Sequence, residues 1–283
     1  MGAGVVIIAT LALDAAARKE IGSNRSIILK LMRAFLIPSE NNDGSLALQT
    51  AAGKALGNLT ITTAVCTDNC CDILFEDPEL KLNNLIDLLD DEEYMCVAAN
   101  LLHNLCANSR GNMMVINLRA NGHLQSVLLP TVMQMVRTTE GKQLEAALCV
   151  ASQIGYVIPE YFVQMLESDT NAAAAELVEK LVNTLKSIRE PSPDYPRIRR
   201  LLVELVTSIV EKCPRYKEIF LQKGMNDALD MVKGTPSRLE KYRVFLGDEG
   251  VVAENLPMRD LIDKARRLIN LETPTPDAQP VQP

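Results

Sequence analysis

The chain of 283 residues is 47% hydrophobic and 23% charged, a composition that folds and can bury a sizeable core. Its net charge of −7 argues against wholesale nucleic-acid binding, which needs a positive field along the contact surface, and makes a basic partner easier to accommodate than an acidic one. Aromatic residues make up 4% and Trp is absent, so the core must be aliphatic, which favours helix packed on helix; an odd set of seven Cys in so long a chain points to a reducing compartment.

Residues 1–20 come first and carry the apolar run Val5–Leu13. The run has the length of a signal-peptide core, and Ala15-Ala16-Ala17 resembles a cleavage site, but no basic residues precede it and it is too short to span a bilayer. Leu11, Leu13, Asp14, Arg18 and Lys19 fit a helix that runs on with polar residues emerging, so the segment reads as the last helix of a partial repeat. Its apolar surface looks uncapped, as the start of the C-terminal part of a longer array would.

The next unit is "NRSIILKLMRAFLIPSENNDGSLALQTAAGKALGNLT", whose end, Leu48–Thr60, predicts an amphipathic helix closing on Asn58-Leu59. Asn58-Leu59-Thr60 is formally a glycosylation acceptor, but a packed helix end accounts for it better. After Cys70, "DILFEDPELKLNNLIDLLDDEEYMCVAANLLHNLC" gives an apolar stripe of Leu82, Leu85, Ile86, Leu88 and Leu89, then Asp90–Glu93 at the start of a new helix, then Asn104-Leu105. The following unit repeats this order, with breaks at Gly122 and at Thr138–Gly141, and ends on "LEAALCVASQIG" with Gln153-Ile154 in the Asn-Leu place. A weaker copy, "LLVELVTSIVEKC", puts Ser208-Ile209 there. Anchor pairs thus recur roughly every 50 residues, with three helices between successive anchors. Such a unit cannot cover its own apolar stripe, so neighbours must stack on a shared core, and Ala51, Ala52, Gly53, Ala98 and Ala99 allow close approach. Beyond Gly234 the expectation is a short helix, a Gly-rich turn at 247–250 and a closing helix Met258–Ile269, together a helical cap over 241–270. The Pro-rich tail 271–283 is expected to be disordered.

Catalytic chemistry finds little support. His103 and His123 are the two histidines, one in an anchor helix and one at a helix junction, and both read better as surface or interhelix residues than as catalysts. Cys66, Cys70 and Cys71 lack the paired spacing of a zinc knuckle, and there is neither a phosphate-binding Gly-rich loop nor a nucleophile elbow. The expectation is no enzyme, no metal and no cofactor. The acidic run Asp90–Tyr94 could meet a basic peptide, but acidic residues also suit a helix start. "RIRRLL", residues 197–202, is either a contact for an acidic partner or a solvated first turn.

Two of the anchor segments, "AAGKALGNL" at 51–59 and "VAANLLHNL" at 97–105, resemble the third-helix consensus of armadillo repeats, Ala-Ala-x-Ala-Leu-x-Asn-Leu. The resemblance spans residues 21–234 and weakens toward the end, where Asn gives way to Gln153 and Ser208 and "REPSPDYPRIRR" inserts prolines. It implies an all-α fold, a right-handed α-α superhelix forming an armadillo-like solenoid of about four three-helix repeats over 21–240, whose third helices line a concave groove that takes an extended partner peptide. Since residues four apart share a helix face, the groove positions carried over are Lys54 with Asn58, Asn100 with Asn104, Cys149 with Gln153, and Glu204 with Ser208. An Asn or Gln amide both donates and accepts, which suits holding a partner's main chain; the competing explanation is that Asn58 and Asn104 satisfy backbone groups at helix ends. Nuclear-import adaptors place Trp four residues before the Asn, and this chain has none, which argues against Lys-rich nuclear-localisation signals as ligands. The expected function is a non-catalytic, cytoplasmic scaffold, with the nucleus as second compartment, binding a protein or extended peptide, basic if charged. The alternative is a structural array segment with an assembly or membrane-proximal role.

Overall fold

A computed structural model of the chain describes residues 2–37, 43–61, 69–77, 82–108, 122, 124–246, 249–254 and 256–271. The expected single helix at the N-terminus is two. α1 (Gly2–Leu11) stops, and α2 (Ala15–Gly22) starts afresh because the Asp14 carboxylate accepts from the backbone N–H groups of Ala16 and Ala17 at 3.0 and 2.9 Å. That is an N-cap, the local signal that ends one helix and nucleates the next. Asn24 caps α3 (Arg25–Leu36) in the same way through Ile27 N, and α4 (Asp43–Leu59) follows.

The second unit contains α5 (Asn69–Glu76), α6 (Leu82–Asp87) and α7 (Met95–Asn108), the last entered through a turn in which Asp91 accepts from Glu93 N and Met95 N. A π-helical turn at Leu124–Leu128 runs into α8 (Leu129–Thr138), and Gly141, at φ 53°, opens α9 (Gly141–Val157). Then come α10 (Pro159–Ser168), α11 (Asn171–Ser187, capped by Thr170), α12 (Ile198–Lys212), α13 (Tyr216–Gln222) and α14 (Met225–Gly234). His123, Cys66 and residues 272–283, on which earlier expectations fell, lie outside the described residues.

The third helices form one unbroken row. α1 packs on α4, α4 on α7, α7 on α9, α9 on α12, and α12 on α15 (Met258–Asn270). The closing helix therefore continues the row, and it is also tied by Lys264 to Glu211 of α12 at 2.8 Å and by Asp263 to Lys233 of α14 at 2.7 Å. A single apolar cluster runs through the whole stack from Ala12 to Ile269. Fully burying each of its Leu, Ile or Val side chains contributes about 1.5–3 kcal/mol. Helix spacing is set by small residues: a Cβ on Gly53 would lie 2.5 Å from Val97 Cγ1 and 2.6 Å from the Phe35 ring, so α3, α4 and α7 can meet only if that position is Gly.

Two further expectations need correcting. The segment after Gly234 holds strands that were not expected: a 3-10 turn (Leu239–Lys241) leads into β1 (Tyr242–Leu246), which pairs antiparallel with β2 (Glu249–Ala253), while residues 247–248 of the expected turn lie outside the described residues. The arginines of "RIRRLL" are not solvated either. Arg197, Arg199 and Arg200 are all buried, because the chain between α14 and α15 folds down over the start of α12 and supplies carboxylates and carbonyls to them.

Among the described residues no single helix is long and apolar enough to cross a membrane. α9 and α10 together have the length and composition, but they meet at 114° and supply core side chains to the stack.

Candidate functional site

The anchor asparagines are joints between neighbouring units. Asn58 Nδ2 donates to Ala9 O of α1 at 2.9 Å, and Asn104 Nδ2 donates to Gly57 O of α4 at 2.8 Å and to Thr60 Oγ1 at 3.2 Å. Ala9 and Gly57 sit in the last turns of their helices, where carbonyls lack a backbone donor; Gly57 O also accepts from Thr60 Oγ1 at 3.0 Å. Each Asn amide therefore caps the preceding third helix. A net gain of about 0.5–1.5 kcal/mol per bond is ordinary, but a buried carbonyl left without its donor costs about 1–3 kcal/mol.

His103, next to Asn104, makes a joint to the following unit, here on a mid-helix carbonyl. Successive helical residues point about 100° apart, so while Asn104 reaches back to α4, the His103 ring reaches on to α9, its Nδ1 3.1 Å from Cys149 O. Burial pushes the His103 pKa down to about 4, with the Arg197 charge adding to the effect, so the ring is neutral near pH 7. Cys149 is buried as well, and burial pushes its thiol up to about 11. His103 meets the backbone carbonyl of Cys149, and the thiol stays protonated, so this His and Cys do not make a nucleophile–base pair.

The positions one turn ahead of the anchors diverge along the row. Lys54 and Asn100 are exposed, Glu204 is half-buried and Cys149 is covered; of the remaining anchors, Gln153 and Ser208 are half-buried. What brings the later positions together is Arg197, which no local pattern places on this face. Its Nη1 lies 3.5 Å from Asn100 Oδ1 and 3.9 Å from Cys149 Sγ, and its backbone N–H donates to Glu145 Oε2 at 2.7 Å. Glu145, on α9, thereby caps the start of α12. Burial raises the Glu145 pKa to about 7 against the pull of Arg197. Burial raises Glu204 too, helped by Glu254 and opposed by Arg197 and Arg200.

Behind this cluster, Arg199 Nε and Glu240 Oε1 form a 2.6 Å ion pair with both side chains almost wholly buried. Arg199 also donates to Arg189 O, Thr235 Oγ1 and Thr235 O at 2.7, 3.0 and 2.8 Å. Partners so distant in sequence left no local signal. Among the described residues, no three His, Cys, Asp or Glu side chains are placed to share a metal ion.

No family model matches the sequence, and no curated protein matches it. Solved structures do match. An engineered protein from the Northeast Structural Genomics Consortium is 14% identical, with 94% of this chain and 98% of that one covered at a TM-score of 0.50. A designed armadillo repeat protein is 13% identical, with 94% and 100% covered at a TM-score of 0.49. At such identities a likeness concerns the fold alone. Helical units stacked through an unbroken row of third helices make this chain an armadillo-like α-solenoid, with a β-hairpin, single among the described residues, set into its last unit.

Proposed function

We propose that the chain is a non-catalytic scaffold that binds a protein or an extended peptide along its row of third helices, on the concave face that such helices line in an armadillo-like solenoid. The observation that carries this is the continuity of the row from α1 to α15, with Lys54 and Asn100 exposed one turn ahead of amides that lock neighbouring helices together. A rigid surface bearing outward polar groups has little left to order on binding, so the conformational-ordering part of the cost of association falls mainly on the peptide. Asn58 and Asn104 hold the surface in shape, and Lys54, Asn100, Gln153, Glu204 and Ser208 supply its chemistry. The net charge of −7 favours a partner with basic stretches elsewhere in its sequence, and a cytoplasmic setting fits the free thiols.

The alternative, an assembly role, draws on one specific feature. α1 turns Val6, Ile7 and Leu11 outward, each about half exposed, on the first helix of the row. Cross-linking mass spectrometry on material from the native source separates the two readings. Cross-links from Lys54 to a partner segment support the groove; cross-links confined to the neighbourhood of α1, with Lys54 unlinked, would replace it with assembly.

A further inference from the structure

The connection between second and third helices differs sharply along the chain. α8 passes to α9 through Thr139 and Glu140, whereas α14 passes to α15 through residues 235–257, which carry the hairpin. Both legs of that hairpin are pinned to the first turn of α12. On the entering leg Arg199 pairs with Glu240, and Arg200 Nε and Nη2 donate to Glu240 O at 3.2 and 3.1 Å. On the leaving leg Arg200 Nη2 donates to Leu256 O at 2.8 Å.

Strand register decides which side chains face inward. In β2, Gly250 and Val252 are half-buried while Glu249, Val251 and Ala253 are exposed, and Glu254 continues the inward alternation. The Tyr242 ring lies over Gly250, where a Cβ would fall 2.1 Å from it, so the two strands close tightly at that point. The Glu254 carboxylate comes to 4.0 Å from Arg197 Nε and 3.8 Å from Arg200 Nε. Arg197 is the residue that spans the row, touching Asn100 of α7 and Cys149 of α9. Its Nε is buried and makes no hydrogen bond among the described residues. A buried guanidinium donor in that condition is costly, and a carboxylate oxygen drawn about 1 Å closer than Glu254 would satisfy it. Arg243, on β1, adds a further positive charge close enough to act on Arg197, Cys149 and His103.

We infer that the hairpin β1–β2 is an internal occupant of the C-terminal half of the third-helix row, and that the seat beneath it, Arg197 flanked by Asn100 and Arg200, takes a carboxylate from a partner peptide that displaces Glu254. The inference rests on the proposed groove function and adds to it the chemistry of one position and the segment that guards it. Guanidinium on carboxylate is the pairing that fits: Arg offers a planar fork of donors that a carboxylate can meet at two points.

The test uses an array of 12-residue peptides in acidic, neutral and basic contexts, each made with a central Glu and again with Gln in its place. It is probed with the full chain, with Glu254→Gln, and with residues 243–252 replaced by a short Gly-Ser link. Glu254→Gln is nearly isosteric, and matching circular dichroism and melting temperature verify that each variant is folded. Both variants should capture Glu peptides at least tenfold more than the full chain does, Gln peptides should gain little, and Arg197→Gln should abolish the gain. Equal capture by all forms, or an equal gain for Gln peptides, would overturn the inference. If Lys54→Glu still lowers capture while hairpin trimming changes nothing, the internal occupant falls and the groove stands; if no form captures any peptide, both fall.

Discussion

Replacing Arg199 by Leu should be among the most damaging single changes in the chain. The guanidinium is 0% exposed, forms a 2.6 Å ion pair with Glu240, itself 3% exposed, and donates to the carbonyls of Arg189 and Thr235. Leu removes the positive charge and leaves the Glu240 carboxylate buried with Ser237 N at 3.2 Å as a weak substitute. Breaking one side of a buried ion pair costs about 3–5 kcal/mol, because the surviving charge keeps its desolvation penalty, and each orphaned carbonyl adds on the order of 1 kcal/mol. These terms overlap, so about 4 kcal/mol is the working figure, a large share of the 5–15 kcal/mol that domains commonly possess. Replacing both residues, Arg199→Leu with Glu240→Leu, removes the stranded charge and should recover about half of the loss, since the carbonyls of Arg189 and Thr235 still lack the guanidinium. Urea unfolding followed by far-ultraviolet circular dichroism measures all three. A single substitution costing under about 1 kcal/mol, or a double variant no more stable than Arg199→Leu, would refute the placement of this pair as the clasp between α12 and the chain that precedes α15.

Other expectations can be checked with the same assay. Gly53→Ala should destabilise by about 1–3 kcal/mol through overpacking against Val97 and Phe35, whereas Gly57→Ala, four residues on in the same helix with nothing within 4 Å of the added carbon, should stabilise by about 0.5–1 kcal/mol. Asn104→Leu should cost about 0.5–1.5 kcal/mol for each bond lost to Gly57 O and Thr60 Oγ1, because Thr60 Oγ1 still donates to Gly57 O at 3.0 Å; a neutral outcome would remove Asn104 from its role as a joint. His103 and Glu145 should oppose each other with pH. With His103 depressed to about 4 from 6.5, the unfolded chain binds the proton that the folded chain refuses, so stability rises with pH across that window. With Glu145 raised from 4.5 to about 7, the folded chain holds the proton instead, so stability falls as pH rises from 4.5 to 7. Each effect is worth up to about 3 kcal/mol, so between pH 4.5 and 6.5 melting temperature should climb more steeply with pH in Glu145→Gln than in the parent chain, and less steeply in His103→Asn. Equal slopes in all three would contradict both shifts.

The parts of the fold that are local in origin were legible in the sequence. "AAGKALGNL" and "VAANLLHNL" carry their own helical period, and the small residues that allow stacking sit within them, so both the third helices and their spacing could be read. Asp14 followed by Ala-Ala-Ala is a recognisable cap, but the continuous apolar run before it reads as one helix and hides the new start. The hairpin left a fainter signal, two runs of five residues rich in aromatic and β-branched side chains around Gly247-Asp248, and it was outweighed by the helical context on either side. Arginine burial in "RIRRLL" had no local signal at all. An Arg goes inside only when its partners do, and those partners, Thr235, Glu240, Glu254 and Leu256, belong to chain that returns after two more helices. The same gap explains the candidate site: the armadillo resemblance singles out Lys54, Asn58, Asn100 and Asn104, but which of them face outward depends on contacts with neighbouring units.

The most direct test of the third-helix row as a binding surface is capture of partners from an extract of the native source on the immobilised parent chain and on Lys54→Glu/Gln153→Glu. These positions lie on the row in α4 and α9, and neither is buried, whereas Asn58 and Asn104 are joints whose loss would disturb the fold itself. The expected result is that the double variant melts like the parent and loses at least one captured protein. A variant that melts like the parent and retains every partner would contradict binding along this face.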